Sequence, residues 1–363
     1  MAIHAVFPER YAQQLDDKLE QLRLEFADYP LPEIEVFSSA AQHYRQRAEF
    51  KIWQQDGQAN YAMYQPGEYK KPFIIDEFQV GSELINSLMP TLLAEINNSE
   101  MLRKRLFQVE FLTTMSGEAL ITLIYHKPLG EDWEAEARGL KERIGFDIIG
   151  RSRKQKIVMD RDFVIERLQV NGKPYSYQQV EASFTQPNGG VCEKMLGWAM
   201  ETTAAIGGDL LELYCGNGNF TVPLAGQFEK VLATEISKVS VKSAEYNFAQ
   251  NGVTNASIAR MSSEEFAEAM DKVRSFRRLK DIDLDSYEFS TVLVDPPRAG
   301  LDEHTTEIVK RFDNILYISC NPDTLHHNLK SITETHDLVR FALFDQFPYT
   351  HHRECGVLLR RRA

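Results

Sequence analysis

A chain of 363 residues with 53 acidic and 41 basic side chains, net −12, is too long for one ordinary core and too acidic for a nonspecific nucleic-acid coat. Its 43% hydrophobic content supports two cores, but no apolar run reaches the ~18–20 residues of a membrane span. Met1-Ala2-Ile3-His4 opens no signal peptide, so neither membrane nor export is expected. Cys192, Cys215, Cys320 and Cys355 are scattered without a C-x-x-C pair, so no metal and no iron–sulfur cluster are expected, and free thiols suit a cytoplasmic location.

In chain order, Tyr11, Leu15, Leu19, Leu22 and Phe26 recur at helical spacing, which predicts a helix over residues 9–27, closed by Pro30 and Pro32. Residues 44–53 alternate like a strand, and Asp56-Gly57 is a hairpin signal with residues 59–64 returning. A helix is predicted over 81–97, a strand pair over 106–113 and 118–126, a helix over 131–144 stopped by Gly145, and strands over 146–151 and 156–160. Residues 140–161 hold seven basic side chains against three acidic ones, and 103–105 and 274–278 are further basic clusters. Such clusters are solvated surface or phosphate contacts.

From about residue 180 the pattern changes to strict alternation. A helix over 191–205 precedes strands at 209–213, 231–235, 256–260, 290–295 and 315–319, separated by helices at 238–250, 263–271, 303–312 and 322–333. Strands at 340–345 and 356–360 close the chain. Alternation of this kind gives a parallel, doubly wound sheet with ligands at the carboxyl ends of its strands.

Four motifs fall at those ends. Glu212-Leu213-Tyr214-Cys215-Gly216-Asn217-Gly218-Asn219-Phe220 is a strand, a glycine turn and a helix start, with an acid, Glu235, some twenty residues on to meet a ribose. Thr221 breaks the G-x-G-x-x-G of dinucleotide sites, which leaves S-adenosylmethionine as the expected ligand. Asp295-Pro296-Pro297-Arg298 is an acid at a strand tip held by two prolines. In Ser319-Cys320-Asn321-Pro322 the asparagine is a good N-cap and the proline suits the first helical position, so Cys320 is expected beside a helix N-terminus that favours its thiolate. The loop 344–355 ends in His351-His352-Arg353-Glu354-Cys355; the adjacent histidines diverge and no metal is expected.

A cysteine and a carboxylate beside such a cofactor suit carbon 5 of a pyrimidine. A thiolate adding to carbon 6 makes carbon 5 nucleophilic, and a base then removes its proton. These motifs, with Phe184-Thr185-Gln186-Pro187-Asn188, resemble the bacterial tRNA (uracil-5-)-methyltransferases over essentially the whole chain.

The resemblance implies an α/β fold. Residues 181–363 would be a class I, Rossmann-like methyltransferase domain with a parallel sheet and a terminal antiparallel strand. Residues 1–180 would be a helix and an α+β RNA-binding domain. Cys320 would be the nucleophile and Glu354 the proton acceptor. Gln186, Tyr214, Gly216, Asn219, Glu235 and Asp295 would hold S-adenosylmethionine. Arg47, Phe107 and His126 would meet RNA, the two rings by stacking. The implied substrate is a uridine in the T-loop of tRNA, turned outward to reach the cysteine, with the tRNA-like part of tmRNA as a second target and no obligate protein partner. Two other readings stay open: methylation of ribosomal RNA, disfavoured by the missing cluster cysteines, and a tRNA-binding folding factor whose methylation is incidental.

Overall fold

The computed structural model describes residues 6–65 and 67–362. The chain opens with helix α1 (Tyr11–Glu25) and a short strand β1 (Ile34–Phe37), followed by β2 (Arg47–Gln55), β3 (Gln58–Gln65) and β4 (Glu68–Ile74). At the β2–β3 turn Asp56 and Gly57 both take the left-handed φ values, 51° and 77°, that a two-residue hairpin with matching twist requires. Helices α2 (Glu83–Asn98) and α3 (Glu100–Arg103), strands β5 (Leu106–Thr113) and β6 (Ala119–Tyr125), helix α4 (Glu131–Ile144), then β7 (Asp147–Ser152) and β8 (Gln155–Val158) complete a seven-stranded sheet ordered β4-β3-β2-β5-β6-β7-β8. Its pairs are antiparallel except β6–β7, which α4 joins as a crossover. Phe50, Tyr61, Phe111 and Ile121 meet Met89, Leu92, Trp133 and Leu140 from α2 and α4 in one core.

The hairpin β9 (Phe163–Val170) and β10 (Lys173–Val180) leads into α5 (Gly189–Thr203). The second sheet then builds from β11 (Asp209–Leu213), α6 (Thr221–Leu224), β12 (Val231–Thr234), α7 (Lys238–Gln250), β13 (Ala256–Ala259), α8 (Ser263–Met270), β14 (Phe289–Val294), α9 (Glu303–Val309), β15 (Asn314–Ser319), α10 (Pro322–Ile332), β16 (His336–Phe344) and β17 (Glu354–Arg361). The order is β1-β16-β17-β15-β14-β11-β12-β13, with β17 antiparallel to both its neighbours and the other pairs parallel. Residues 292–294 and 315–318 are wholly buried apolar runs, as strands covered on both faces must be.

Three segments ahead of residue 180 pack with this second sheet. Leu22 of α1, Phe26 at its C-cap and Ile34 of β1 share a core with Leu211, Val292 and Phe341. Strand β1 pairs with β16 from Ile34↔Phe341 to Phe37↔Phe344. Leu168, Val170, Tyr175 and Tyr177 of the β9–β10 hairpin pack with Val191 and Met195 of α5 and Phe248 of α7. Sequence alone assigns these segments to the N-terminal domain; in the fold they pack and pair with elements of the second sheet.

The basic stretch 140–161 is largely neutralised within the fold. Arg151 meets Glu181 at 2.5 Å, Arg161 meets Asp147 at 2.5 Å and Glu118 at 2.9 Å, Lys156 meets Asp162 at 2.6 Å, Arg143 meets Glu95 at 2.6 Å, and Lys141 pairs with Asp147 and Asp160. Arg153 and Lys154 remain exposed. Among the described residues no helix is long and apolar enough to cross a membrane.

Candidate active site

The tips of β14, β15 and β17 bring three chemistry-bearing residues together. Helix α10 is fixed by Leu325, Leu329 and Ile332, each fully buried on one face, and its N-terminus is capped by Asn321, whose side chain accepts from the Asp323 N–H at 3.2 Å with Pro322 at the first position. Cys320 sits half-buried just ahead of that cap. Ser319 is opposite Cys355 in the antiparallel β15–β17 pair, so Cys320 and Glu354 follow and precede that pair at the same sheet edge. Asp295 leaves β14 next to them, and its loop is tied to α10 because Asn321 Nδ2 donates to the Arg298 carbonyl at 3.0 Å.

The adjoining strand tips, β11 and β12, form a cleft of about 360 Å³. Tyr214, Glu235, Ile236, Ser263 and the loop from Pro297 to Asp302 line it. Glu235 is fixed by two backbone donors, the Gly216 N–H at 3.1 Å and the Ser237 N–H at 2.7 Å. Its remaining lone pairs stay free to accept, which suits a ribose. Ile236, 69% exposed, puts an apolar face beside that carboxylate. Tyr214 turns the chain at φ 62° and its hydroxyl shares a hydrogen bond with Ser263 Oγ at 2.7 Å.

Gly218 has φ 79°, and a Cβ there would lie 2.8 Å from Phe248 Cε1. Gly218→Ala is expected to cost ~1–3 kcal/mol of stability and to weaken S-adenosylmethionine binding about tenfold or more, read by thermal melting and calorimetric titration.

Of the six residues expected at the cofactor, Tyr214 and Glu235 line the cleft, while Gly216 reaches it through its bond to Glu235. Asp295 stands at the neighbouring tip. Asn219 turns toward α5, where its side chain meets Cys192 Sγ at 3.6 Å and its carbonyl accepts from Tyr177 Oη at 3.0 Å. Gln186 is half-buried in the loop entering α5, which Asn188 caps by accepting from the Val191 N–H at 3.2 Å.

Buried carboxyls set the electrostatics. Burial, then Glu354 and Asp295, push the Cys320 thiol up to about 11, against the opposing charge of Arg298. The thiolate expected from the helix N-terminus is therefore not the resting state: a cap's partial charge is outweighed by desolvation and two nearby carboxyls. Glu354 is 3% exposed, and burial followed by Asp295 holds its carboxyl well above the usual range, with Arg298 opposing. Asp295 is raised by burial as well. Arg298, in the sequence simply the residue after the two prolines, is thus the cation that opposes the upward shift of both Cys320 and Glu354.

Glu212 was not singled out from the sequence. It is buried in β11, accepts from Thr221 Oγ1 at 2.6 Å, and is pushed up to about 8, by burial first, with Thr221 opposing and Asp295 adding. Its folded-state value exceeds the unfolded ~4.3, so the folded protein holds the extra proton between them. This contribution favours folding at low pH and is lost as pH rises through about 8. Glu212→Gln should therefore gain stability relative to the unsubstituted protein between pH 5 and pH 8, by ~1–3 kcal/mol in urea unfolding at the two pH values.

On the first sheet, Phe107 and His126 stack on each other with centroids 4.1 Å apart and planes at 22°, and the Lys51 ammonium lies 4.3 Å from the Phe107 centroid. The Arg47 guanidinium donates to the carbonyls of Ser183 at 2.7 Å and Glu181 at 2.6 Å, tying β2 to the turn after β10. His351 and His352 lie 4.2 Å apart, and among the described residues no group of three or more His, Cys, Asp or Glu side chains is placed to hold a metal ion.

Comparison with known proteins agrees with this geometry. The chain is 63% identical over 356 residues to the tRNA/tmRNA (uracil-C(5))-methyltransferase of Saccharophagus degradans and 61% identical over 356 residues to that of Teredinibacter turnerae, each alignment covering 98% of both chains. The crystal structure of Pyrococcus abyssi tRNA (uracil-54, C5)-methyltransferase in complex with S-adenosyl-L-homocysteine superposes with a TM-score of 0.74 at 21% identity, over 96% of this chain and 83% of that one, which shows a shared Rossmann-like fold. A family model described as tRNA (Uracil-5-)-methyltransferase matches residues 10–362. The chain belongs to the tRNA (uracil-5-)-methyltransferase family and is an enzyme of that type.

Proposed function

We propose that the chain methylates carbon 5 of a uridine in the T-loop of tRNA, and in the tRNA-like part of tmRNA, through a covalent bond between Cys320 and carbon 6. The observation that carries this reading is the meeting of Cys320 and Glu354 at one sheet edge, beside the cleft that Glu235 lines. The cleft's residues fit S-adenosylmethionine: an anchored carboxylate for the ribose, an apolar Ile236, and no charged cradle for a pyrophosphate. When bound, that molecule supplies an electrophilic methyl group.

The steps on this chain's residues follow. Cys320 loses its proton to solvent, Arg298 favouring the anion, and the thiolate adds to carbon 6, forming the S–C bond and an enolate across carbons 4 and 5. Carbon 5 then takes the methyl group: the C–CH₃ bond forms as the sulfonium S–CH₃ bond breaks, its electron pair staying on sulfur. Ionised Glu354 accepts the carbon 5 proton, the C5–C6 double bond returns, and the S–C6 bond breaks to release thiolate. Asp295, next to both, takes no proton in this scheme and lies where it can meet cofactor or base. The target base must leave its stack to reach Cys320. The seven-stranded sheet, with the Phe107–His126 stack and Lys51, supplies the RNA-facing half, and a tRNA substrate places the enzyme in the cytoplasm.

The test is methyl transfer from S-adenosylmethionine to an unmodified tRNA transcript, followed by nucleoside mass spectrometry. 5-Methyluridine mapped to the T-loop supports the reading. Product on ribosomal RNA alone sinks the substrate assignment, and methylated cytosine or a methylated exocyclic amine sinks the mechanism.

A further inference from the structure

Glu354 follows a loop, residues 345–353, most of whose outside anchors come from the far end of the chain; Gln346 instead turns to α5, where its Oε1 accepts from the Asn188 N–H at 3.2 Å and its Nε2 donates to Met195 Sδ at 3.2 Å. Asp345 accepts three bonds from α1: Tyr11 Oη at 2.9 Å, Gln14 Nε2 at 2.8 Å and Lys18 Nζ at 2.7 Å. Lys18, 6% exposed, also donates to the Phe347 carbonyl at 2.8 Å. The Tyr349 N–H donates to Gln14 Oε1 at 3.1 Å, Tyr44 Oη donates to the Pro348 carbonyl at 3.2 Å, and Tyr349 Oη donates to the Ala41 carbonyl at 2.8 Å. Arg353, immediately before Glu354, forks onto Glu25 at 2.6 and 2.9 Å. Bonds from 345, 347, 348, 349 and 353 to partners outside the loop thus run to residues 11–44, while within it Thr350 Oγ1 also donates to the Phe347 carbonyl at 2.8 Å.

We infer that α1 is a splint for the proton-removing step: Lys18, Gln14 and Glu25 are positioning residues that hold the 345–353 loop so that Glu354 meets the carbon 5 proton. The inference rests on the covalent reading proposed above. The physical case is one of precision. A base must sit within hydrogen-bond reach of the proton it takes, and an error of ~1 Å costs about a hundredfold. Glu354 begins β17, so its Cα is set from one side by the sheet and from the other by this loop. The sheet side is rigid; a nine-residue loop with Tyr349 at φ 61° is not rigid without outside partners. An oriented, two-point grip such as Lys18 on Asp345 and Phe347 fixes the loop's first half, and the Glu25–Arg353 fork fixes its exit.

A general loss of folding and a misplaced base leave different marks. If the base alone is misplaced, Cys320 still adds and the methyl group still transfers, but the methylated RNA stays bound to sulfur. The full-length enzyme is therefore incubated with an unmodified tRNA transcript and S-adenosylmethionine, and the covalent protein–RNA band is measured on a denaturing gel beside kcat, KM and a thermal melt. Lys18→Met and Gln14→Ala should lower kcat about tenfold or more, leave KM within about twofold, and raise the steady-state adduct severalfold at temperatures where the variant is folded. Lys18→Arg should restore part of kcat. Should Lys18→Met fail to fold, Gln14→Ala and Glu25→Gln, which keep the Lys18–Asp345 pair, decide the matter. Unchanged kcat, or a fall in kcat without adduct, overturns the splint. Glu354→Gln is the control: no adduct there overturns the covalent reading itself, whereas adduct with Glu354→Gln but not with the α1 variants overturns only the splint.

Discussion

With Cys320 replaced by alanine, methyl transfer falls by ~10⁴-fold or more while tRNA binding persists. Nothing else in the site can replace the thiol. Uncatalysed attack by carbon 5 on a sulfonium methyl lacks the enolate that the C6–S bond creates, and removal of a covalent nucleophile from a preorganised site typically costs this much or more. The side chain is only half-buried and makes no anchoring contact on which α10 depends, since the helix is held by Leu325, Leu329 and Ile332 and capped by Asn321. Folding and the RNA contact proposed for the other sheet should therefore be untouched. Single-turnover methylation and a filter-binding titration on the same preparation check both halves. Retained methylation excludes the covalent route; binding lost in parallel assigns Cys320 a structural part instead.

Glu354→Gln gives the second large effect, a fall of ~10²–10⁴-fold in turnover with accumulation of RNA-bound enzyme. Its direction in stability is opposite. Glu354 is buried beside Asp295 with its carboxyl held well above the ordinary range, so an uncharged amide of the same shape relieves the pocket and the variant should melt at or above the unsubstituted protein near pH 8. The same burial dictates how rate follows pH. Both working forms are deprotonated, the Cys320 thiolate and the Glu354 carboxylate, and both groups are shifted upward, the thiol to about 11. The kcat/KM of the unsubstituted enzyme should rise from pH 6 to pH 9 without a falling limb, and a decline over that range would contradict the assignment of roles.

Much of this arrangement could be read before the structure. The helix predicted over 131–144 is Glu131–Ile144, the helix over 238–250 is Lys238–Gln250, and every strand tip that carries a motif stands at the expected sheet edge. Local rules sufficed there because periodicity, caps and glycine turns agree. The hairpin β9–β10 went unread although its signal was present: burial alternates along Phe163–Val170, and Asn171-Gly172 turns with φ values of 50° and 77°. Strand β1 offered no such signal, being four residues long with its partner some three hundred residues away. The Cys320 thiol was misjudged for a related reason. Its helix cap is local and visible in sequence, whereas Glu354 and Asp295, which outweigh the cap, come from other strands. The two carbonyls that Arg47 meets, those of Glu181 and Ser183, are likewise some 135 residues away in sequence and visible only in the fold.

The pairing of β1 with β16 carries a consequence for how the chain is made. Ile34 waits for Phe341, so the first strand synthesised is completed by nearly the last. Contacts this distant in sequence form slowly, because a long loop must close before they return any free energy. On the ribosome the seven-stranded sheet between them can fold early, while β1 stays an unpaired edge and Leu22 of α1 and Phe26 at its C-cap stay exposed until the final strands emerge. Strands β1 and β16 thus act as a clasp, which closes only after all the strands between them have been made.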